Sequence, residues 1–178
     1  MAHPPLVDYT PDDLDHEVAK LLETATGDPL DDPGTMRALA KLRLKLGQDV
    51  IFVSRFRDGT RVLELVESEP ATVSFLQGSV DSLQQSWCYS VVSGRLPEFV
   101  LDARSWIEAG VVADPGMKIG THISTPIDLG DGTVYGTLCA FSSDVVADAT
   151  VSDLSRLRLA AEWLGRRLAQ VARDKARQ

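Results

Sequence analysis

Residues 119–142 read IGTHISTPIDLGDGTVYGTLCAFS and predict two β-strands joined by a tight turn. The first strand shows the period-two alternation of a half-buried strand, with its larger residues at Ile119, Thr121, Ile123, Thr125 and Ile127. Asp131-Gly132 supplies the positive φ angles that a narrow hairpin turn needs. Residues 134–141 are rich in β-branched and aromatic side chains, which predicts the second strand.

The rest of the chain predicts helices and strands in an order typical of an α+β protein. Helices are expected at residues 12–24, 33–46, 82–92 and 151–175, and further strands at residues 49–56, 60–66 and 96–101. Asp58-Gly59 is a second hairpin signal, and residues 102–118 are expected to be a loop with a single helical turn. This order favours a largely antiparallel sheet.

Length and composition indicate one soluble globular domain. The chain has 178 residues, of which 44% are hydrophobic and 25% charged. It contains no apolar run near the roughly 20 residues of a membrane-spanning helix, and its first residues do not read as a signal peptide. The two cysteines are therefore expected to be reduced thiols in a cytoplasmic protein that does not contact a membrane.

The charge distribution argues against nucleic acid as the main partner. The net charge is −8, and residues 155–178 carry seven basic and two acidic residues, so the remainder stands at −13. Phosphate binding needs a basic face, which this acidic chain offers only in its last helix. A solvated helix surface explains the basic residues of that helix.

The last predicted helix carries a heptad-like apolar pattern. Spacings of three and four residues separate Leu154, Leu157, Ala161, Leu164, Leu168 and Val171. Such a seam favours packing against another helix at a shallow angle, so it is one candidate dimer surface. The alternative is a helix that packs on its own domain.

Several scattered motifs resemble those of bacterial GAF domains, a sensory fold related to PAS. They are Ser86-Trp87-Cys88, the segment PEFVLDA at residues 97–103, Thr125-Pro126-Ile127, and Gly136-Thr137-Leu138-Cys139 before a long helix. The resemblance covers residues 32–174, with residues 151–175 as the long C-terminal helix. Residues 1–31 are an acidic segment with a possible helix, and residues 175–178 a tail.

The resemblance implies a central antiparallel sheet with the N- and C-terminal helices on one face and a ligand pocket on the other. It also implies signalling through paired terminal helices, a homodimer and a signalling partner protein. The motif of cyclic-nucleotide-binding relatives is absent, and Cys88 is followed by Tyr89 rather than the histidine of bilin-binding relatives. The cysteine set of the GAF-fold methionine sulfoxide reductases is also missing, and no cofactor is predicted.

Eight residues near the expected pocket are candidates for ligand binding: Trp87, Cys88, Phe99, Asp102, Trp106, His122, Ser124 and Cys139. Each also has a structural interpretation. Cysteines are often small buried hydrophobes, aromatic residues fill cores, and Asp102 could cap a turn. His122 has no Cys, Asp or Glu at metal-ligand spacing, so no metal site is predicted.

No catalytic motif is present: there is no nucleophile elbow, phosphate-binding loop or zinc-protease helix. The leading hypothesis is a non-catalytic sensory domain that binds a small molecule. The alternatives are a ligand-free interaction or dimerisation module, and a redox or cofactor-binding sensor that uses Cys88, Cys139 or His122.

Overall fold

A six-stranded antiparallel sheet forms the centre of the molecule, with strand order β3-β2-β1-β6-β5-β4. The computed structural model describes residues 16–24, 27–69 and 77–178. The strands are β1 (Val50–Arg57), β2 (Thr60–Ser68), β3 (Val80–Ser82), β4 (Phe99–Val100), β5 (His122–Asp128) and β6 (Val134–Phe141). The helices are α1 (His16–Thr24), α2 (Pro33–Leu46), α3 (Trp87–Val92), α4 (Arg104–Glu108) and α5 (Val151–Ala176). The predicted α+β class is confirmed.

The sheet separates two apolar clusters, and the period-two alternation of its strands assigns each side chain to one of them. On one face, α1, α2 and α5 pack on strand residues that include Ile51, Ile123 and Leu138. On the other face, α3 and the 103–119 segment pack on strand residues that include Phe52 and Cys139. Neighbouring residues such as Leu138 and Cys139 therefore face opposite layers.

Short-range signals in the sequence fix the ends of the long helices. Asp32 caps α2, its side chain accepting from the amide of Gly34, and Gly47 ends the helix in the left-handed conformation with φ 66°. The Thr150 amide donates to Asp153 at 2.9 Å in the capping box that begins α5. The part of the first predicted helix before residue 16 lies outside the described residues.

Three element predictions were wrong in extent. The 82–92 helix begins only at Trp87, because Ser86 is its N-cap and residues 80–82 pair with β2 as a strand. The 96–101 strand shortens to Phe99–Val100. The turn between β5 and β6 is wider than a two-residue hairpin: positive φ occurs at Gly130 and Gly132, whereas Asp131 uses its side chain to accept from the Thr133 amide.

The heptad-like seam of α5 is not a free surface. Leu154, Leu157 and Leu164 are fully buried. Ala161 and Leu168 are buried as well, Val171 is half-buried, and the five buried residues belong to the core that the helices form with the sheet. The prediction of a dimer through this seam is therefore corrected: the apolar stripe packs on the domain's own strands.

One irregularity in β2 decides where its side chains point. The pairing of β1 with β2 shifts between Val53, opposite Leu65, and Ser54, opposite Leu63, which leaves Glu64 as an extra residue. Such a β-bulge interrupts the alternation of a strand. Leu65 packs with the helices, whereas Leu63, only two residues away, packs on the opposite face.

Candidate functional site

A cavity of about 380 Å³ lies on the sheet face opposite the three long helices. Its apolar walls come from Phe52, Trp87, Met117, Ile119 and Phe141. Polar side chains also line it: Arg61, Asp81, Ser82, Gln85, Ser86, Asp114 and His122. Apolar walls combined with polar side chains that can orient a ligand are typical of small-molecule sites.

The cavity is bounded by α3 and by the loop that follows α4. Ser86 accepts from the Tyr89 amide and starts α3, which buries Trp87 at its first position. The Trp87 Nε1 then donates to the Ala113 carbonyl at 2.9 Å. This hydrogen bond ties the loop at residues 113–117 to α3, so that the loop forms one wall of the cavity.

Arg61 supplies the cation of the cavity. Its guanidinium makes a bidentate ion pair with Asp81 on β3, with Arg61 Nε 2.9 Å from Asp81 Oδ1, and it lies 5.9 Å from the centre of the Phe52 ring. The β-bulge at Glu64 accounts for this position. Arg61 lies four residues before Leu65, so in a regular strand both side chains would face the helices. The extra residue shifts the alternation by one, and Arg61 therefore faces the cavity.

His122 forms part of the cavity floor and is kept neutral. Its ring stands edge-on to Trp87 with 5.1 Å between the ring centres, and its Nδ1 has no hydrogen-bond partner among the described residues. Burial, with a smaller contribution from the charge of Arg61, lowers the pKa of His122 to about 3. A neutral imidazole with an unpartnered nitrogen offers one hydrogen bond to a ligand.

The depressed pKa of His122 predicts acid sensitivity. Between about pH 6.5 and pH 3, the unfolded chain takes up a proton on this residue that the folded chain refuses. The contribution of neutral His122 to the free energy of unfolding should therefore be fully present above pH 6.5. It should fall by roughly 1 kcal/mol per pH unit on acidification. Urea unfolding at pH 7, 6 and 5 measures this slope.

The His122→Gln variant is the matched control, because all carboxylates are shared with the parent chain and their contribution cancels. Its unfolding free energy should change less between pH 7 and pH 5 than that of the parent. Equal slopes would contradict a neutral, buried His122.

Two buried thiols lie beneath the cavity. Cys88 on α3 and Cys139 on β6 are 3.6 Å apart between their Sγ atoms, and both are free. Arg61 Nη1 lies 3.4 Å from the Cys88 Sγ, and the hydroxyls of Ser124 and Thr137 contact the Cys139 Sγ. The two sulfur atoms therefore lie between Arg61, which lines the cavity, and the hydroxyl groups of Ser124 and Thr137.

The structure places the eight predicted site residues in three positions. Trp87 and His122 line the cavity, while Cys88, Ser124 and Cys139 lie behind the lining. Phe99, Asp102 and Trp106 are outside it. Phe99 pairs with Ile123 and, like Ile123, packs toward the helices. Asp102 pairs with Arg104 at the surface and accepts from the Arg104 amide at the start of α4. Trp106 is a half-buried residue that packs against the cavity-side core.

Phe99, Asp102 and Trp106 therefore do not line the cavity, whereas residues that were not predicted do. Sequence reasoning missed Arg61 and Asp81, because it did not detect β3 or the bulge in β2. A loop containing Asp114-Pro115-Gly116 was expected beside the cavity, but nothing in its residue types indicated contact with Trp87.

The described residues offer no cluster of metal ligands in the cavity. No group of three or more His, Cys, Asp or Glu side chains within residues 16–24, 27–69 and 77–178 could hold a metal ion. Nor does any helix of these ranges have the length and apolarity to cross a membrane.

A larger groove of about 840 Å³ runs between α5 and the β5–β6 turn. It is open to solvent and lined by charged residues, among them the Glu98–Arg158 ion pair. Its charged lining residues are paired or exposed, whereas the smaller cavity contains a buried nitrogen without a partner among the described residues. We therefore take the smaller cavity as the candidate site.

Comparison with solved structures identifies the fold. The phycoerythrobilin-bound GAF domain from a cyanobacterial phytochrome aligns with a TM-score of 0.68 at 14% identity, covering 95% of this chain and all of that one. The GAF domain from Acinetobacter phosphoenolpyruvate-protein phosphotransferase aligns with a TM-score of 0.68 at 12% identity, covering 89% and 93%. A putative GAF sensor protein from Burkholderia vietnamiensis gives 0.54 at 21% identity, covering 92% and 98%.

No protein-family model and no curated protein matches the sequence. The six-stranded sheet, the helices on one face and the cavity on the other define an α+β domain. This chain has the GAF domain fold, as the sequence motifs predicted.

Proposed function

We propose that this chain is a non-catalytic sensory domain that binds a small molecule in the cavity between Trp87 and His122. The observation that carries the proposal is the His122 Nδ1, a buried polar atom without a partner beside a cavity of about 380 Å³. A buried polar group left without a hydrogen bond costs about 1–3 kcal/mol. A ligand that makes this bond recovers that cost.

The lining indicates the chemistry of the ligand. Phe52, Trp87 and Phe141 offer aromatic surfaces, and Arg61 with Asp81 forms a polar end. A flat compound with an apolar body and polar groups at one end fits such a site. The phycoerythrobilin-bound relative supports the idea that this fold holds small molecules.

Catalysis and a ligand-free module are less well supported. His122 is neutral and has no carboxylate orienting its Nδ1, so the nucleophile and base arrangement of a hydrolytic site is missing from the described part of the cavity. In a ligand-free interaction module, side chains would fill this space. The open cavity therefore argues against such a module.

Native mass spectrometry of the protein purified from its host tests the proposal. Gln85 is exposed and lines the cavity, so Gln85→Trp should obstruct it, whereas Gln84→Trp adds the same bulk to an exposed residue outside the lining. We expect a co-purifying compound on the parent chain and on Gln84→Trp, with at least tenfold lower occupancy on Gln85→Trp. Equal occupancy in all three would place the compound elsewhere, and none on the parent would contradict ligand binding.

Signalling is proposed to pass from the cavity to the helix layer across one sheet. His122 and Ile123 are neighbours on β5, the first on the cavity side and the second in the helix-side core. The α5 helix packs closely on β5, with Gly165 against the Asp128 carbonyl. Ligand binding that moves β5 would therefore bias the packing of α5, as a shift between two arrangements.

A homodimer is part of this proposal, and an exposed residue of α2 is the proposed contact between the subunits. Leu44 on α2 is 63% exposed in the same layer as α5. Because Leu44 is largely outside the core, Leu44→Asp should leave the fold intact but convert a dimer to a monomer in light scattering. Leu42→Asp, two residues away, is the contrast, since Leu42 is fully buried and its replacement should unfold the domain. An unchanged dimer mass for Leu44→Asp would exclude this surface.

A further inference from the structure

The Cys88 and Cys139 side chains form a site that the proposed function does not use. Their Sγ atoms are 3.6 Å apart, 51 residues apart in sequence, and each side chain is fully buried. A disulfide requires an S–S distance of about 2.05 Å. The two sulfur atoms therefore need to approach by about 1.5 Å to reach bonding distance.

The surroundings of the two sulfurs differ in charge. Cys88 contacts the Arg61 guanidinium, whereas Cys139 contacts the neutral hydroxyls of Ser124 and Thr137. Burial alone raises a thiol pKa, but the hydrogen bond with Cys139 and the charge of Arg61 together lower the pKa of Cys88 to about 6. Burial and the neighbouring Cys88 raise the pKa of Cys139. Cys88 is thus the nucleophilic member of the pair.

We propose that Cys88 and Cys139 are a redox pair that hydrogen peroxide converts to an intramolecular disulfide. The Cys88 thiolate attacks one peroxide oxygen, the O–O bond breaks, and the leaving hydroxide takes up a proton from solvent to become water. The Cys139 sulfur then attacks the sulfur of the Cys88 sulfenic acid, the S–O bond breaks, and the Cys139 proton leaves with the hydroxide as a second water. Two thiols are oxidised and one peroxide is reduced by two electrons.

Access favours a small oxidant. Both cysteines are fully buried, and the nearest open space is the cavity lined by Arg61, Trp87 and His122. Arg61 contacts both the cavity and the Cys88 sulfur, so an oxidant the size of water that enters the cavity is one side chain from the thiolate.

The bond would join the cavity wall to its floor. Cys88 belongs to α3 and Cys139 to β6, so oxidation fixes the helix against the sheet. Oxidation also removes the sulfur anion beside Arg61, which leaves Asp81 as the remaining charged partner that the structure shows for this guanidinium. The site therefore links the electrostatics of the cavity to its redox state.

Thiol counting on the full chain tests the proposal. The reduced protein is treated with hydrogen peroxide, the excess is removed with catalase, and the chain is unfolded in guanidinium with N-ethylmaleimide for intact-mass measurement. We expect two labels before treatment, and afterwards none with a loss of two hydrogen atoms; dithiothreitol should restore both labels. Two labels after treatment, or a disulfide between two chains, would overturn the proposal.

The order of attack is tested with single-cysteine variants. In Cys139→Ala, dimedone added as the chain is unfolded in guanidinium should trap a sulfenic acid on Cys88, and in Cys88→Ala it should trap none on Cys139. Arg61→Met should slow peroxide consumption at pH 7 roughly tenfold, whereas Arg57→Met, at an exposed arginine paired with Asp58, should not change it. Trapping on Cys139 instead, or an equal rate for Arg61→Met, would overturn the assigned role of Cys88. Label counts on the parent chain decide the proposal even if a variant fails to fold.

Discussion

Gly165→Ala is expected to destabilise the domain by about 2–3 kcal/mol, although alanine is normally the better helix residue by about 1 kcal/mol. A Cβ at position 165 would lie 2.1 Å from the Asp128 carbonyl oxygen, and that oxygen belongs to the backbone of β5. The helix must move away from the sheet to accommodate it. Thermal unfolding should show a melting temperature lower by about 5–10 °C.

Ala172→Gly is the control for this substitution, because Ala172 lies on an exposed part of the same helix. Its free energy of unfolding should fall by about 1 kcal/mol, through the lower helix propensity of glycine alone. If Gly165→Ala instead stabilised the domain, the close approach of α5 to β5 would be incorrect, and the proposed coupling between the cavity and the helix layer would lose its closest contact.

Leu157→Asp is expected to abolish the folded state. Leu157 is fully buried between α5 and the sheet, and truncating such a leucine to alanine already costs about 2–5 kcal/mol. A carboxylate there adds the cost of an unpaired buried charge, against a total stability of about 5–15 kcal/mol. Circular dichroism should show loss of the cooperative unfolding transition.

Size-exclusion chromatography with light scattering separates this outcome from a dimer seam. A seam between two subunits would give Leu157→Asp as a folded monomer with a normal melting transition. Ala172→Asp, at the exposed position, should keep the fold and a cooperative transition and lose only about 0.7 kcal/mol through helix propensity. A folded, monomeric Leu157→Asp variant would instead show that the heptad-like seam of α5 is an interface between two subunits.

Local signals in the sequence were sufficient for the helix layer and the last hairpin. The Asp32 and Gly47 caps, the Thr150–Asp153 capping box and the alternation of β5 each depend on residues a few positions apart. The heptad-like spacing of α5 was also real, but spacing alone does not distinguish a helix that packs on a sheet from one that packs on another helix.

The cavity was less predictable because its groups come together through long-range pairing. Arg61 and Asp81 are twenty residues apart and meet only because β3 pairs with β2. Phe99 was misplaced for a related reason. Its strand shortens to two residues, and pairing with Ile123 turns Phe99 toward the helices while Val100 faces the cavity-side core.

The extra residue in β2 makes the number of residues between two positions as important as their identity. Deleting Glu64 would restore strict alternation between Leu65 and the residues before it. Arg61 would then lie three residues before Leu65 and would still face the cavity, with Asp81 and Cys88 beside its guanidinium. In a relative without the extra residue, an arginine facing the cavity would stand three residues before the leucine, and one standing four residues before it would face the helices, so alignments across this strand need to be judged by length as well as by residue.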